Sequence, residues 1–285
     1  MSQETTRQVL EDDPHDHDRG LSFDVSTLIN RRRALQMFAV GGLATLVGCG
    51  SSSSGSSTTA STSASATTAA STDAAANVGS TIPEETGGPF PADGSNGINV
   101  LTESGIVRSD ITTSFGSASG TAGGVPLTID LTILDVSSGG TPVTGAAVYL
   151  WHCDREGAYS LYSSGVTDRN YLRGVQEAGA DGKVSFKSIF PAAYSGRWPH
   201  IHFEVYPSLA EATAAGSKLV TSQIALPEDA CDLVYATAGY QQSVQNMAQT
   251  SLDTDNVFSD GYSTQLGTAS GSVAEGMTVK LNVGV

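Results

Sequence analysis

The sequence predicts an all-β protein, a β-sandwich of mainly antiparallel strands with a short helical segment near the C-terminus. Charged residues make up only 15% of the 285 residues and 32 residues are glycine, which is typical of turn-rich β structure and not of helical bundles. Several short segments alternate apolar and polar side chains, as half-buried strands do. The net charge of −15 argues against a nucleic-acid partner, because nucleic-acid binding needs a basic surface.

Residues 1–49 have the organisation of an export signal. A charged Arg31–Arg33 cluster precedes an apolar run from Met37 to Gly48, and this order is typical of secretory signals. The run is too short for a helix to cross the ~30 Å hydrocarbon core of a bilayer. The arginines resemble a twin-arginine signal, and Leu46–Cys49 resembles a bacterial lipobox. We therefore expect an exported protein with a lipid on Cys49 and peripheral attachment to the membrane; an ordinary signal peptide with an incidental cysteine is the alternative.

Residues 50–80 form a low-complexity segment between the signal and the rest of the chain. They are almost entirely Ser, Thr, Ala and Gly. Such a composition cannot bury enough apolar surface to offset the entropy lost on ordering. The segment is predicted to be a disordered tether that joins a lipid anchor to a folded domain over residues 81–285.

The folded domain is expected to contain at least six strands and little helix. Turn residues separate the strands at Gly139–Pro142 and at Asp181–Gly182, and helical signals are confined to Glu228–Met247, which follows Pro227. The predicted strands are Leu127–Ile133, Val143–Trp151, Val184–Ile189, Pro199–Tyr206, Lys218–Leu226 and Met277–Val283.

Two of the three histidines that follow the signal lie two residues apart in a predicted strand. His200 and His202 therefore project from one face and Ile201 from the other, and two rings about 7 Å apart along a strand can converge on one ion. Exposed histidines on a sheet face are the alternative. Because no Asp, Glu or Cys lies between Tyr194 and His202, a zinc site or a two-histidine, one-carboxylate iron site would need a distant third ligand.

Tyrosines are the other metal-binding side chains near this pair. Free tyrosine has a pKa near 10, so only a strongly Lewis-acidic ion such as Fe(III) readily holds two phenols deprotonated at neutral pH. A site of two histidines and two tyrosines would thus select ferric iron.

Six segments around these residues resemble the motifs of the intradiol ring-cleavage dioxygenases, the family of catechol 1,2-dioxygenase and protocatechuate 3,4-dioxygenase. The resemblance covers roughly residues 82–226, and the family fold is a β-sandwich. The segments are Gly145–Asp154, Gly157–Ser160, Leu172–Gly174, Asp181–Phe186, Pro191–Tyr194 and Arg197–His202.

The resemblance implies a role for each matching residue. The Fe(III) ligands would be Tyr159, Tyr194, His200 and His202. Tyr194 would leave the metal when substrate binds and take up a substrate proton. Arg197 would stabilise negative charge on the ring, and Gln223 would lie beside it. The pocket-lining segment would be Gly88, Pro89 and Phe90.

The activity implied by the resemblance is insertion of both atoms of O2 into a catechol-type diol, with cleavage between the two hydroxylated carbons to a muconate-type diacid. Two other kinds of protein are possible. One is a non-catalytic ligand-binding lipoprotein with a vestigial metal site. The other is a zinc hydrolase that uses His200, His202 and a distant carboxylate.

Four further expectations concern residues near the motifs. The family places a histidine at the position of His152 outside the metal shell, so His152 is expected to be structural. Tyr162 competes with Tyr159 as the first tyrosine ligand, and the Gly-x-Tyr spacing favours Tyr159. Arg173 is expected to make a structural ion pair. If Cys49 is acylated, the remaining cysteines, Cys153 and Cys231, form either a disulfide or two buried free thiols.

Overall fold

The computed structural model describes residues 79–285, and its secondary structure confirms the all-β prediction. The export signal, the lipobox and nearly all of the tether lie outside the described residues. The strands are β1 (Pro126–Asp135), β2 (Thr141–Pro142), β3 (Ala147–Trp151), β4 (Arg173–Glu177), β5 (Lys183–Ile189), β6 (His200–Tyr206), β7 (Val220–Ala225), β8 (Thr268–Ser272) and β9 (Gly276–Gly284). The helices are α1 (Leu209–Thr213), α2 (Glu228–Tyr235), α3 (Gln241–Met247) and a 3₁₀ turn at Phe258–Asp260.

The strands form two sheets. The first has the order β2-β1-β9-β8, with β5 also paired to β1. The second, which we call the site sheet, has the order β4-β3-β6-β7 and is antiparallel throughout. The pairing of β1 with β9 is parallel, so "mainly antiparallel" describes the sandwich correctly.

The main core lies between the two sheets. Along β1, buried and partly exposed residues alternate, so Leu127, Ile129 and Leu131 face inward. They pack in one cluster with Phe203 of β6 and Ile224 of β7. This arrangement is the two-layer packing expected of a sandwich.

The site sheet is buried on both faces, unlike its partner. Every residue of β3, β6 and β7 is buried. A second apolar cluster covers the outer face of this sheet, where Leu101 and Phe115 of the preceding loops pack with Tyr149, Trp151 and Tyr206. Side chains on the outer face of the site sheet therefore lie in a protected interior.

All six predicted strands are present, although the second begins at Ala147 and not at Val143. The predicted helical region is two helices, because the chain reverses at Gly239, whose φ of +96° suits glycine. The prediction that helix is confined to Glu228–Met247 was wrong, because α1 forms at Leu209–Thr213, where the Ser208 side chain caps its first turn, and part of the predicted Gly139–Pro142 turn is strand β2. The sequence also did not indicate β4 or β8. The first is buried without clear alternation, and the second is rich in serine and glycine.

The two remaining cysteines do not form a disulfide. Cys153 and Cys231 are both free and buried. The Cys153 thiol donates to the Ala192 carbonyl at 3.6 Å, and burial raises the pKa of both thiols. The structure thus favours buried free thiols over the disulfide. Within residues 79–285, none of the helices has the length and apolar character needed to cross a membrane.

Candidate active site

His200 and His202 lie together on the outer face of β6. Ile201 points into the core on the opposite face, as the strand alternation predicts. The Nε2 atoms of the two imidazoles are 3.1 Å apart. The Nδ1 atom of His200 lies 2.6 Å from the Trp198 carbonyl, which requires a proton on Nδ1. The Nε2 lone pair of His200 therefore faces the site.

The ring of His202 is held by stacking. Trp151 is its cross-strand neighbour in β3, and the two rings are parallel within 4° with centroids 5.0 Å apart. Gly88 also lies close to this ring: it has a φ of +69°, and a Cβ there would lie 3.3 Å from His202 Cε1. The sequence therefore needs glycine at this point for the loop to approach the imidazole.

Tyr194 is the third member of the cluster. Its hydroxyl lies 3.0 Å from His200 Nε2. Its segment is tied to α3, because Ala193 donates its N–H to Ser243 Oγ at 3.1 Å and accepts from Asn246 Nδ2 at 2.8 Å. Tyr194 is itself only partly buried.

Tyr159 completes the group from the loop that follows β3. Asp154 shapes this loop, because its Oδ1 accepts the N–H groups of Glu156 and Ala158. The Tyr159 ring lies 6.0 Å from the Tyr194 ring and 6.2 Å from the His202 ring, centroid to centroid. Its hydroxyl is buried and makes no hydrogen bond of good geometry within the described chain.

Tyr162, the competing phenol, points elsewhere. Its hydroxyl accepts the N–H of Ala92 at 2.9 Å and donates to Asn96 Oδ1 at 2.9 Å. This hydroxyl therefore has partners outside the cluster, which agrees with the choice of Tyr159.

Arg197 is fixed beside the cluster by a buried carboxylate that the sequence did not reveal. Asp255 accepts Arg197 Nε at 2.9 Å and also the N–H groups of Trp198, Val257 and Phe258. Both side chains of the ion pair are almost inaccessible, at 4% and 0% exposure. No motif marks Asp255, which lies 58 residues along the chain from Arg197.

Gln223 connects Arg197 to the predicted pocket segment. Its Oε1 accepts Arg197 Nη2 at 2.7 Å, and its Nε2 donates to the Thr86 carbonyl at 2.9 Å. The remaining guanidinium nitrogen, Nη1, lies 3.5 Å from His200 Nε2. The guanidinium thus faces the histidines along one edge.

The predicted pocket segment lies against the same cluster. Gly88 contacts His202 as described above, and the Phe90 ring lies 5.0 Å from the Tyr159 ring and 5.1 Å from the Tyr162 ring. Pro89 lies between them and accepts a hydrogen bond from Asn96 at 2.8 Å. The three residues form one wall of the site.

His152 is structural in its contacts. Its two ring nitrogens lie 2.7 Å from the Cys153 carbonyl and 2.7 Å from Ser188 Oγ, so neither is turned to the cluster. Burial lowers the pKa of His152 to about 4, which keeps the ring neutral.

The expectation of an ion pair at Arg173 is wrong. Its five N–H groups bind only neutral acceptors, and within residues 79–285 no carboxylate pairs with it. These acceptors are the Pro91, Phe90 and Ser160 carbonyls and the Ser160 and Tyr149 hydroxyls. Arg173, on β4 of the site sheet, therefore holds the segment after Gly88 in place by donating to the Phe90 and Pro91 carbonyls.

Burial and charge act on the titratable groups of the cluster. Burial, followed by the Arg197 charge, lowers the pKa of His200, and burial with His200 and Arg197 lowers that of His202. Burial and the Tyr194 phenol raise the pKa of Tyr159. For Arg197 burial is outweighed by the Tyr194 phenol and Asp255, so its pKa is raised. The imidazoles are thus neutral, as metal ligands must be.

The donor set fits a six-coordinate ion. Ligands on adjacent positions of such an ion, with bonds of about 2.1 Å, lie about 3.0 Å apart. The steps from Tyr194 Oη to His200 Nε2 and on to His202 Nε2 are 3.0 and 3.1 Å. The unsatisfied buried Tyr159 hydroxyl is adjacent, and phenols with neutral imidazoles suit ferric iron. A zinc hydrolase is not supported, because residues 79–285 contain no group of three or more His, Cys, Asp or Glu side chains able to hold a metal.

Fold and site together define a β-sandwich protein with a two-histidine, two-tyrosine cluster on the outer face of one sheet. The sequence model of the dioxygenase family matches residues 105–263, more than half of the chain. The chain therefore belongs to this family, that of the intradiol ring-cleavage dioxygenases.

Solved and curated relatives agree with this assignment. An intradiol ring-cleavage dioxygenase from Tetranychus urticae superposes with a TM-score of 0.57 at 25% identity, covering 72% of this chain and 94% of that one. Chlorocatechol 1,2-dioxygenase of Rhodococcus opacus is 42% identical over 55 residues, 19% of this chain and 21% of its own length. Catechol 1,2-dioxygenase 1 of Acinetobacter lwoffii is 41% identical over 56 residues, 19% of this chain and 18% of its own. The chain thus spans about a fifth of the length of the curated relatives it matches.

Proposed function

We propose that the protein is a non-haem Fe(III) dioxygenase that inserts both atoms of O2 into a catechol-type aromatic diol, cleaving the ring between the hydroxylated carbons to a muconate-type diacid. The observation that carries the proposal is the convergence of Tyr194 Oη, His200 Nε2 and His202 Nε2 at separations of 3.0 and 3.1 Å. The Tyr159 ring lies 6.0 Å from the Tyr194 ring and 6.2 Å from the His202 ring, and Arg197 Nη1 lies 3.5 Å from His200 Nε2.

The iron would be held by Tyr159, Tyr194, His200 and His202. A bound ferric ion would supply Lewis acidity and a route for electron density out of the diol. The remaining contributions come from the side chains around it, which orient the substrate, place charge and exclude water.

The two tyrosines differ in how deeply they are buried, and this difference suits two roles. Tyr159 is 2% exposed and lies beneath Phe90, so it can act as a permanent ligand. Tyr194 is only partly buried, which suits a ligand that leaves the metal when the diol binds. Its Oη is then placed to accept a proton from a hydroxyl group of the incoming diol.

Arg197 would stabilise the negative charge that develops on the ring. Because Asp255 and Gln223 hold Nε and Nη2, the guanidinium cannot swing away, and Nη1 stays directed at the histidines. A preorganised cation of this kind does not need to reorient during the reaction.

Oxygen-uptake measurements on the iron-loaded protein test the proposal. We expect one O2 consumed per catechol and a ring-opened diacid that carries both atoms of labelled O2. Arg197→Ala should keep its iron and lose turnover, because the arginine is assigned to charge stabilisation and not to ligation. Cleavage at any other ring bond would contradict the proposal. Iron binding without O2 uptake would instead support a non-catalytic ligand-binding protein.

We also propose that the enzyme acts outside the cytoplasm, attached to the cell envelope by a lipid on Cys49. The support is the sequence alone: the arginine cluster, the apolar run and the lipobox-like Leu46–Cys49.

A further inference from the structure

The face of β6 that carries His200 and His202 continues with two polar residues, Glu204 and Tyr206. Because side chains alternate along a strand, all four project from the outer face of the site sheet. Glu204 has no exposed surface, and its Oε2 accepts the Tyr206 hydroxyl at 2.7 Å. A buried acid therefore lies two residues along the strand from the candidate metal ligand His202.

Lys218 joins this acid to the segment that follows the pocket wall, Gly88–Phe90. Its Nζ donates to Glu204 Oε1 at 2.6 Å and to Asp93 Oδ2 at 2.8 Å. The lysine side chain is 32% exposed, whereas the Glu204 and Asp93 side chains are 0% and 5% exposed. Asp93 comes three residues after the end of the wall. The ammonium thus bridges two buried carboxylates, one on the site sheet and one beside the wall.

The chain between the pocket wall and this bridge has further contacts with the site sheet. Tyr149, the cross-strand neighbour of Glu204 in β3, donates its hydroxyl to the Pro91 carbonyl at 2.7 Å. Arg173 of β4 donates to the Phe90 carbonyl at 2.9 Å and to the Pro91 carbonyl at 3.0 Å. Strands β3, β4 and β6 therefore all hold the wall, and β6 also carries the two histidines of the candidate metal site.

Loss of the ammonium would act on the wall more than on β6. Removing one partner of a buried ion pair is strongly unfavourable, because it leaves buried charge uncompensated. Glu204 lies in a strand that is paired on both sides, whereas Asp93 lies outside the strands. Without Lys218 the Asp93 segment would move first. The movement would carry Phe90, whose ring centroid lies 5.0 Å from that of Tyr159.

We propose that Lys218 is a positioning residue that fixes the pocket wall at a set distance from the candidate metal ligands, and so determines how tightly the diol ring is held. The inference rests on the proposed function. Because Lys218 acts through Asp93 and Glu204, and Glu204 remains in place in β6, its loss should weaken substrate binding and leave iron binding unchanged.

Steady-state kinetics on iron-loaded Lys218→Met test the proposal. We expect KM for catechol to rise about tenfold, with kcat within about twofold of wild type and an unchanged absorption band of tyrosinate-bound iron. Lys218→Arg should recover part of the difference, because a guanidinium can also bridge two carboxylates. Lys183→Met, which removes the exposed ion pair with Asp181, is the matched control and should leave KM unchanged.

Asp93→Asn is a second variant that breaks the bridge from the other end. Its Oδ1 can still accept the N–H of Ser95, but an amide NH2 now faces the lysine. KM should rise as in Lys218→Met, and the double variant should show no further rise, because both changes remove one contact. Unchanged KM in these variants, or loss of the iron band in a folded one, would overturn the inference alone.

Hydrogen exchange on the metal-free protein gives a readout that does not depend on activity. The Ala92 amide donates to the Tyr162 hydroxyl and reports whether the segment stays in place. Its exchange should be at least about tenfold faster in Lys218→Met than in wild type, and unchanged in Lys183→Met. Equal exchange in Lys218→Met and wild type would overturn the inference alone. Absence of catechol cleavage by the iron-loaded wild type would overturn the proposed function with it.

Discussion

At the scale of single residues, the site is organised by carboxylates that do not touch the candidate metal ligands. Asp255 holds Arg197, and Asp154 shapes the Tyr159 loop while its own carbonyl accepts the N–H of Ala192 at 3.1 Å. Asp154 thereby links the two tyrosine segments. Buried acids of this kind stabilise a single arrangement of the groups around them.

Replacing Asp255 should slow the reaction without removing the metal. In Asp255→Asn the amide cannot accept from both Arg197 and the backbone N–H groups, so the guanidinium loses its orientation. We expect kcat to fall about a hundredfold, as for comparable misplacements of charge-stabilising groups, with iron content and KM close to wild type.

Steady-state kinetics and iron analysis on the folded variant check this expectation. Asp253→Asn, an exposed neighbour, is the matched control and should behave as wild type. An Asp255→Asn enzyme with normal kcat would show that Arg197 does not depend on this ion pair for its position.

At the scale of elements, the C-terminal helices hold the segment that ends at Tyr194. Asn246 and Ser243 of α3 bind the backbone of Ala193, and Tyr235 of α2 donates to the Pro191 carbonyl at 3.1 Å. The segment Pro191–Tyr194, which follows β5, is thus attached to α2 and α3 by hydrogen bonds. Its position depends on residues that lie outside the family motifs.

Removing one of these contacts should loosen Tyr194. Asn246→Ala deletes the donor to the Ala193 carbonyl, and we expect about 1 kcal/mol lower stability and a several-fold change in kcat/KM. Gln245→Ala, at an exposed position on the same helix, is the control. Chemical denaturation and O2-uptake assays measure both effects. Identical kinetics in Asn246→Ala and Gln245→Ala would show that this contact from α3 does not position Tyr194.

The elements that sequence could predict are those with a simple pattern. Strand β1 alternates because one face of its sheet meets the core and the other does not. Strand β4 lacks this alternation of apolar and polar residues. Its charged residue Arg173 is buried because it donates to the Pro91 and Phe90 carbonyls, which come close to it only in the folded chain. Similarly, the motif residues His200 and His202 are neighbours in sequence, whereas Asp255 reaches Arg197 only through the fold.

At the scale of the whole molecule, the sandwich uses its two sheets differently. The first sheet packs on one face of the site sheet and forms the main core with it. The other face of the site sheet is covered by loops, and these loops shield the histidine and tyrosine cluster from solvent. A protected interior beside partly exposed Gly88 and Phe90 fits a pocket that opens at one side. Water exclusion around the cluster strengthens every charge interaction in it.

The proposed lipid anchor makes a prediction for the whole chain. When the full-length protein is expressed in a bacterium with lipoprotein processing, it should partition into the detergent phase and the membrane fraction. Cys49→Ser should shift it to the soluble fraction without changing its specific activity, because the anchor lies far along the chain from the folded domain. Equal partitioning of Cys49→Ser and wild type would contradict lipidation.

The central claim is that Tyr159, Tyr194, His200 and His202 hold ferric iron, and a spectrophotometric iron titration tests it most directly. Adding Fe(III) to purified metal-free protein should produce a visible tyrosinate-to-iron absorption band that saturates at about one ion per chain. Tyr159→Phe should lose much of this band, whereas Tyr162→Phe, whose hydroxyl contacts Asn96 and Ala92, should keep it. A band that survives in Tyr159→Phe and disappears in Tyr162→Phe, or no band in the wild type, would contradict the account.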